Sequence, residues 1–252
     1  MDYQIYPDIQ AEAERIVAAG EQHNLRLRLL GGLAIRLHAP STAHPALARN
    51  YLDIDVVAET RTTGKLEALF SKLGYTPDRE FNLLNGASRL LFYDQTHHRQ
   101  IDVFIGQFAL CHRLPVTERL DREALTLPLA ELLLTKLQIV QLNAKDLRDI
   151  CALMLDHPLG NNDQETINKG RIVELCTKDW GLWKTVMLSL DKTKVFCAEC
   201  GLETEQVAVI QARITELQQT LENAPKSLKW KTRAAIGERL PWYDTPEEVS
   251  RG

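Results

Sequence analysis

The chain has 252 residues, with 30 lysines and arginines against 34 aspartates and glutamates, a formal net charge of −4 and a pI near 6.0. That balance excludes a globally basic nucleic-acid binder, so any such contact needs a local patch. Hydrophobic residues at 44% and charged residues at 25% describe an ordinary globular chain, long enough for one large domain or two modest ones.

The N-terminal stretch MDYQIYPDIQAEAERI has no basic region followed by an apolar run, so it does not read as a signal peptide. AEAERIVAAGEQHN (11–24) has helical apolar spacing and stops on polar residues. LRLRLL (25–30) alternates as a strand does and runs into Gly31 and Gly32, after which LAIRLH (33–38) starts a short helix. APSTAHPALARN (39–50) is rich in chain breakers and reads as a loop. LDIDVVAE (52–59) is the next strand, and TGKLEALFSKLGY (63–75) the next helix, with Gly74 as its C-terminal cap. ASRLLFYD (87–94) and RQIDVFIG (99–106) are two further strands joined by the turn QTHH. This order predicts an α/β (α+β) fold with a mixed sheet.

From Pro128 onward the pattern is helical. LAELLLTKLQIVQL (129–142), AKDLRDICALML (144–155), GRIVELCTKDWGLWKTVMLSL (170–190) and ETEQVAVIQARITELQQTLE (203–222) all carry apolar residues at helical spacing. A polar loop spans Gly160 to Asn168, and Pro225 ends the last long helix. The break at PVTERLDREALTL (115–127) predicts two domains, an α/β part over 1–120 and an all-helical part over 121–252. No apolar run approaches the roughly 20 residues that span a membrane. Five unevenly spaced cysteines suit a reducing compartment, and the expected location is the cytoplasm.

Strand periodicity puts Asp53 and Asp55 on one face, with Leu52, Ile54 and Val56 on the other. Asp102 sits in the same context, between Ile101 and Val103. If the two strands are neighbours, three carboxylates converge, and like charges about 4 Å apart repel by roughly 4 kcal/mol per pair at an effective dielectric near 20. A raised pKa relieves that repulsion, and so does a hard divalent cation, which accounts for three carboxylates more simply. Gly31 and Gly32, between a strand and a helix, let backbone amides approach an anion at the helix's positive end. A lone D-x-D or Gly-Gly carries little information; their order in one chain carries more.

Gly-Gly before a helix, an apolar D-x-D strand and a third apolar-flanked aspartate together resemble the nucleotidyltransferase superfamily, the DNA polymerase β-like fold. RNYLDID, with Arg49 four residues before Asp53, resembles the R-x-x-x-D-[IL]-D pattern of the AbiE-type toxin nucleotidyltransferases. LLLTKLQIVQLNAKDLRDICAL resembles the segment of that branch that carries a nucleotide-contacting lysine, with Lys136, Lys145, Asp146 and Asp149 on its positions. The likeness covers residues 25 to 155. QLNA (141–144) stands where relatives usually carry an arginine, leaving Lys145 or Arg148 to substitute.

The resemblance implies transfer of a nucleoside monophosphate from an NTP to an acceptor hydroxyl, with Mg²⁺ or Mn²⁺ as cofactor. Asp53, Asp55 and Asp102 are implied as metal-binding and catalytic, and Gly31, Gly32, Arg49, Lys136 and Lys145 as nucleotide-binding. The acceptor can be RNA or protein, with a cognate antitoxin as partner and no membrane. The competing expectation is a catalytically silent binding module of the same fold, acting through a protein partner. A Mg²⁺-dependent phosphohydrolase lacks a His-Asp signature here. For Asp146 and Asp149 the expectation is helix capping or support. For Cys197 and Cys200 it is two reduced thiols at a helix turn, for His97 and His98 a solvated turn, and for the tryptophans anchorage of the helical part. KSLKWKTRAAIGER (226–239) is the one locally basic stretch with an aromatic, a candidate RNA-facing surface if not simply a solvated amphipathic face.

Overall fold

A computed structural model describes residues 4–245. The chain forms two compact units, and both are assembled from separated segments. The first holds residues up to 37, 50–108 and 114–128; the second holds 38–49, 109–113 and 129 onward.

In the first unit, helix α1 (Ile9–Gln22) starts two residues before its apolar pattern because Asp8 caps it, accepting from the Ala11 amide at 2.8 Å. Strand β1 (Leu27–Leu30) runs straight into α2 (Gly31–His38), which begins on Gly31 itself rather than at Leu33. There follow β2 (Asp53–Ala58), α3 (Thr63–Lys72), β3 (Thr76–Pro77), α4 (Arg79–Asn85), β4 (Arg89–Asp94) and β5 (Arg99–Ile105). The two short elements β3 and α4 have no periodic signal in the sequence. Side chains hold α4 instead: Asp78 caps it, and Asn82 exchanges two hydrogen bonds with the Leu91 backbone at 3.1 and 2.7 Å.

The strands make one five-stranded mixed sheet in the order β1-β2-β5-β4-β3. Only β2 and β5 are parallel; the other pairs are antiparallel. The α/β reading with a mixed sheet therefore holds. Ile54, Val56, Leu90, Phe92, Ile101 and Val103 fill one face with no exposed area, and Phe70 of α3 stacks on Phe92 at 4.6 Å. The opposite face carries Asp53 and Asp55 of β2, Arg89 of β4 and Asp102 of β5, since side chains alternate along a strand.

The second unit is largely helical: α5 (Leu129–Leu137), α6 (Ala144–Asp156), α7 (Lys169–Lys178), α8 (Trp180–Glu199), α9 (Thr204–Asn223) and α10 (Leu228–Ile236). Helix α5 stops at Leu137, short of the apolar run that continues to Leu142. Residues 138–143 are non-helical, and a capping box of Asn143 and Asp146 then starts α6. The helix expected over 170–190 is two helices. Asp179 leaves the helical region (φ −129°, ψ 112°), and its carboxylate accepts from the Gly181 and Leu182 amides, so a cap cuts the apolar pattern. Inside the polar loop, Leu159–Gly160 and Ile167–Asn168 form a small parallel pair. Among the described residues no helix is long and apolar enough to cross a membrane.

Trp183 and Trp230 meet edge to face at 5.3 Å, and the Trp230 indole donates to the Cys176 carbonyl at 3.0 Å. Trp230 therefore anchors α10, as the tryptophan reading expects. Cys197 is buried in α8 and Cys200 caps that helix; all five cysteines are free thiols. In the β4–β5 turn, His97 contacts Asp94 and Arg99, each at 2.9 Å, so it belongs to a charged cluster; His98 is exposed.

Gly31 has φ +71°, and a Cβ there would lie 2.0 Å from Asp55 Oδ2. Gly31→Ala is expected to lower stability by about 2 kcal/mol or more, from backbone strain plus the clash. Gly64→Ala in α3, where a Cβ meets nothing within 4 Å, should leave stability unchanged or higher. Urea denaturation of the two variants checks this, and equal losses would refute it.

Candidate functional site

The carboxylate patch lies on the charged face of the sheet. In the parallel β2–β5 ladder, Asp55 is the register partner of Asp102 and Asp53 that of Gln100. Register partners in adjacent strands project to the same face, so Asp55 and Asp102 stand side by side, with Asp53 two residues before Asp55 on that face. Asp53 and Asp55 are half-buried and Asp102 is buried. Leu30, which pairs with Asp55 across β1, delivers Gly31 onto the Asp55 carboxylate. Three separate segments thus meet at one point: the β1–α2 junction, β2 and β5.

Arg89 joins them from β4. Its Nε donates to Asp102 Oδ1 at 2.8 Å and its Nη2 to Oδ2, a bidentate pair, with the guanidinium carbon 5.0 Å from the Phe104 ring centre. Burial pushes the Asp102 carboxyl above the ordinary aspartate range; Arg89 opposes that shift and the Asp53 carboxylate adds to it. The sequence reading missed Arg89. An arginine opening a strand expected to flank the Asp102 strand was the available signal, but nothing local tied the two together.

A metal site drawing equally on all three aspartates is not assembled here, because Arg89 engages both Asp102 oxygens. Among the described residues no group of three or more histidine, cysteine, aspartate or glutamate side chains is arranged to hold a metal ion. Asp53 and Asp55, both acceptor-only oxygen donors, suit one hard cation.

The basic residues singled out in the sequence belong to the second unit. Arg49 makes a bidentate pair with Asp149, both contacts at 2.8 Å. Lys136, near the end of α5, lies 3.0 Å from Asp146 and 3.0 Å from Asp149. Burial works against the Lys136 ammonium, but Asp149 and then Asp146 outweigh it, and its pKa is pushed up to about 12. Asp149 is therefore a shared counter-ion for two cations, and Asp146 combines helix capping with a contact to Lys136, the supporting role expected of both. Lys145 is exposed on the first turn of α6. Arg148, the other candidate replacement, has a buried Nε with no hydrogen-bond partner.

The chain matches no family model, and no curated protein matches it. Among solved structures, it is similar to the crystal structure of an antigenic nucleotidyltransferase-like protein from Paracoccidioides brasiliensis. The identity is 13% and the TM-score 0.37, over 70% of this chain and 91% of that one.

Removing Asp149, itself buried, leaves two half-buried cations without their common partner. Asp149→Asn should cost about 3 kcal/mol, in the range of broken buried ion pairs. The double variant Asp149→Asn/Arg49→Gln should lose less than the sum of the single losses. Chemical denaturation of the four proteins measures this coupling, and strict additivity would count against a shared counter-ion.

Proposed function

We propose that the first unit transfers a nucleoside monophosphate from an NTP to an acceptor hydroxyl in the manner of the nucleotidyltransferase superfamily, the acceptor oxygen bonding the α-phosphorus as pyrophosphate leaves. The observation that supports this reading is convergence. Gly31, Asp55 and Asp102, picked from distant segments by motif order, adjoin on one sheet face, with Asp53 close enough to act on Asp102 electrostatically.

Each residue has a task in this reading. Gly31 and Gly32 open α2, whose first-turn amides have no acceptor within the helix and suit phosphate oxygens. Asp53 and Asp55 hold Mg²⁺ or Mn²⁺, which when bound offsets charge on the phosphates and favours attack by the acceptor oxygen. Asp102 takes the acceptor's proton: each of its oxygens keeps a lone pair beyond the one engaged by Arg89, and an elevated pKa makes a stronger base. Arg49, Lys136 and Lys145, in the second unit, keep the nucleotide-binding assignment that the resemblance implies. The AbiE-type resemblance further implies an acceptor on RNA or protein, a toxin-like activity and a cognate antitoxin.

A second reading, the silent binding module, is favoured by one feature. Asp102 is already engaged by Arg89, and Arg49 and Lys136 by Asp149, so these three of the charges assigned to chemistry are met internally.

Asp55→Asn separates the two. It keeps shape but removes a charge, so transfer of labelled NTPs to total RNA or cell extract should be abolished. The fold should survive, with equal or higher thermal stability in metal-free buffer as repulsion is relieved. A cellular effect unchanged by Asp55→Asn, with no stabilisation of the wild type by Mg²⁺ plus NTP, would sink the catalytic reading.

A further inference from the structure

Arg89 is a charged residue at the carboxylate patch to which the transfer reading above gives no role. It opens β4 opposite Phe104, two residues beyond Asp102 on β5, and Leu91 stands opposite Asp102 itself. All four side chains project to the same face, and the diagonal step is within an arginine's reach. The pair is shielded, with 18% of the Arg89 side chain and 6% of the Asp102 side chain exposed. The Phe81 and Phe104 rings lie 5.6 and 5.0 Å from the guanidinium carbon. Packing and a two-point fork together fix the guanidinium in place, and an arginine stays charged at every working pH.

We infer that Arg89 is the resident counter-ion of Asp102 and stands where a second divalent cation would otherwise bind. This rests on the reading of Asp53 and Asp55 as a cation-binding pair. It makes Asp102 an arginine-held proton acceptor rather than a metal ligand in the chain without nucleotide. The fixed guanidinium charge repels a divalent cation from the lone pairs that Asp102 keeps, so a cation binds there only once Arg89 is displaced. Arg89 is then a positioning residue, because it acts through Asp102.

The test titrates Mn²⁺ into the metal-free full chain, following free Mn²⁺ by electron paramagnetic resonance. Arg89→Gln should bind Mn²⁺ at least tenfold more tightly than wild type, or take up an additional equivalent, and Arg89→Gln/Asp102→Asn should lose that gain. Arg89→Lys keeps the charge without the fork and should fall between. A gain that is absent in Arg89→Gln, or that survives in the double variant, overturns the inference. The wild type supplies a second measurement that needs no variant to fold. Its Arg89 Nε–Hε resonance should stay in place with one equivalent of Mg²⁺, and loss of that resonance at this ratio overturns the inference. The functional reading is judged separately. Asp55-dependent transfer with unchanged Mn²⁺ affinity in Arg89→Gln removes the Arg89 role alone. Tighter Mn²⁺ binding by Arg89→Gln in a chain that transfers nothing upholds the Arg89 role and removes transfer.

Discussion

Parallel pairing of β2 with β5 sets the charged face of the first unit. The strands are not consecutive, so α3, β3, α4 and β4 are completed between them, and the β2–β5 register puts Asp55 beside Asp102. Two neighbouring carboxylates on a partly buried face are costly unless a positive charge adjoins them. The same sheet supplies that charge: β4 pairs on the far side of β5 and brings Arg89 within bidentate reach of Asp102. On the near side β1 brings Gly31, the residue type that admits the Asp55 carboxylate so close to the backbone.

The second unit solves a related problem with different residues. Arg49 and Lys136 share Asp149, and Asp146 serves Lys136 while completing the cap of α6. Breaking such a buried network by removing one partner costs far more than the network contributes as a whole, because the remaining charge is left in a poor solvent. In both units a charge that a motif assigns to ligand binding is also a structural charge. A variant of any of these residues therefore changes stability and site chemistry together, and paired substitutions are needed to separate the two.

The aromatic residues near the basic C-terminal stretch are likewise engaged in structural contacts. Trp230 is occupied by Trp183 and by the Cys176 carbonyl, and Arg233 lies 4.5 Å over the Trp180 ring. Their surface is spent on holding α10, which buries none of its own residues completely. Lys226, whose ammonium bonds to carbonyls at the end of α9, is similarly engaged as a cap.

The amino-acid sequence by itself determined what neighbours in the chain can enforce. Alternation marked β1, β2, β4 and β5; helical spacing marked α1, α3, α6 and α9; the Gly-Gly step and the D-x-D strand marked a site worth examining. Where a short polar residue competed with apolar periodicity, as Asp179 does between α7 and α8, the cap won and the pattern misled. A cap satisfies orphan amides at one point, whereas periodicity only averages over turns. Elements as short as β3 and α4 carry too few residues for any period to register. The tertiary structure alone decided that β2 lies beside β5 in parallel, that Arg89 answers Asp102, that Asp149 serves Arg49 and Lys136, and that residues 38–49 belong with the second unit. Those are contacts between residues far apart in the chain. They depend on strand register and on which charge is desolvated beside which, and no local pattern encodes either.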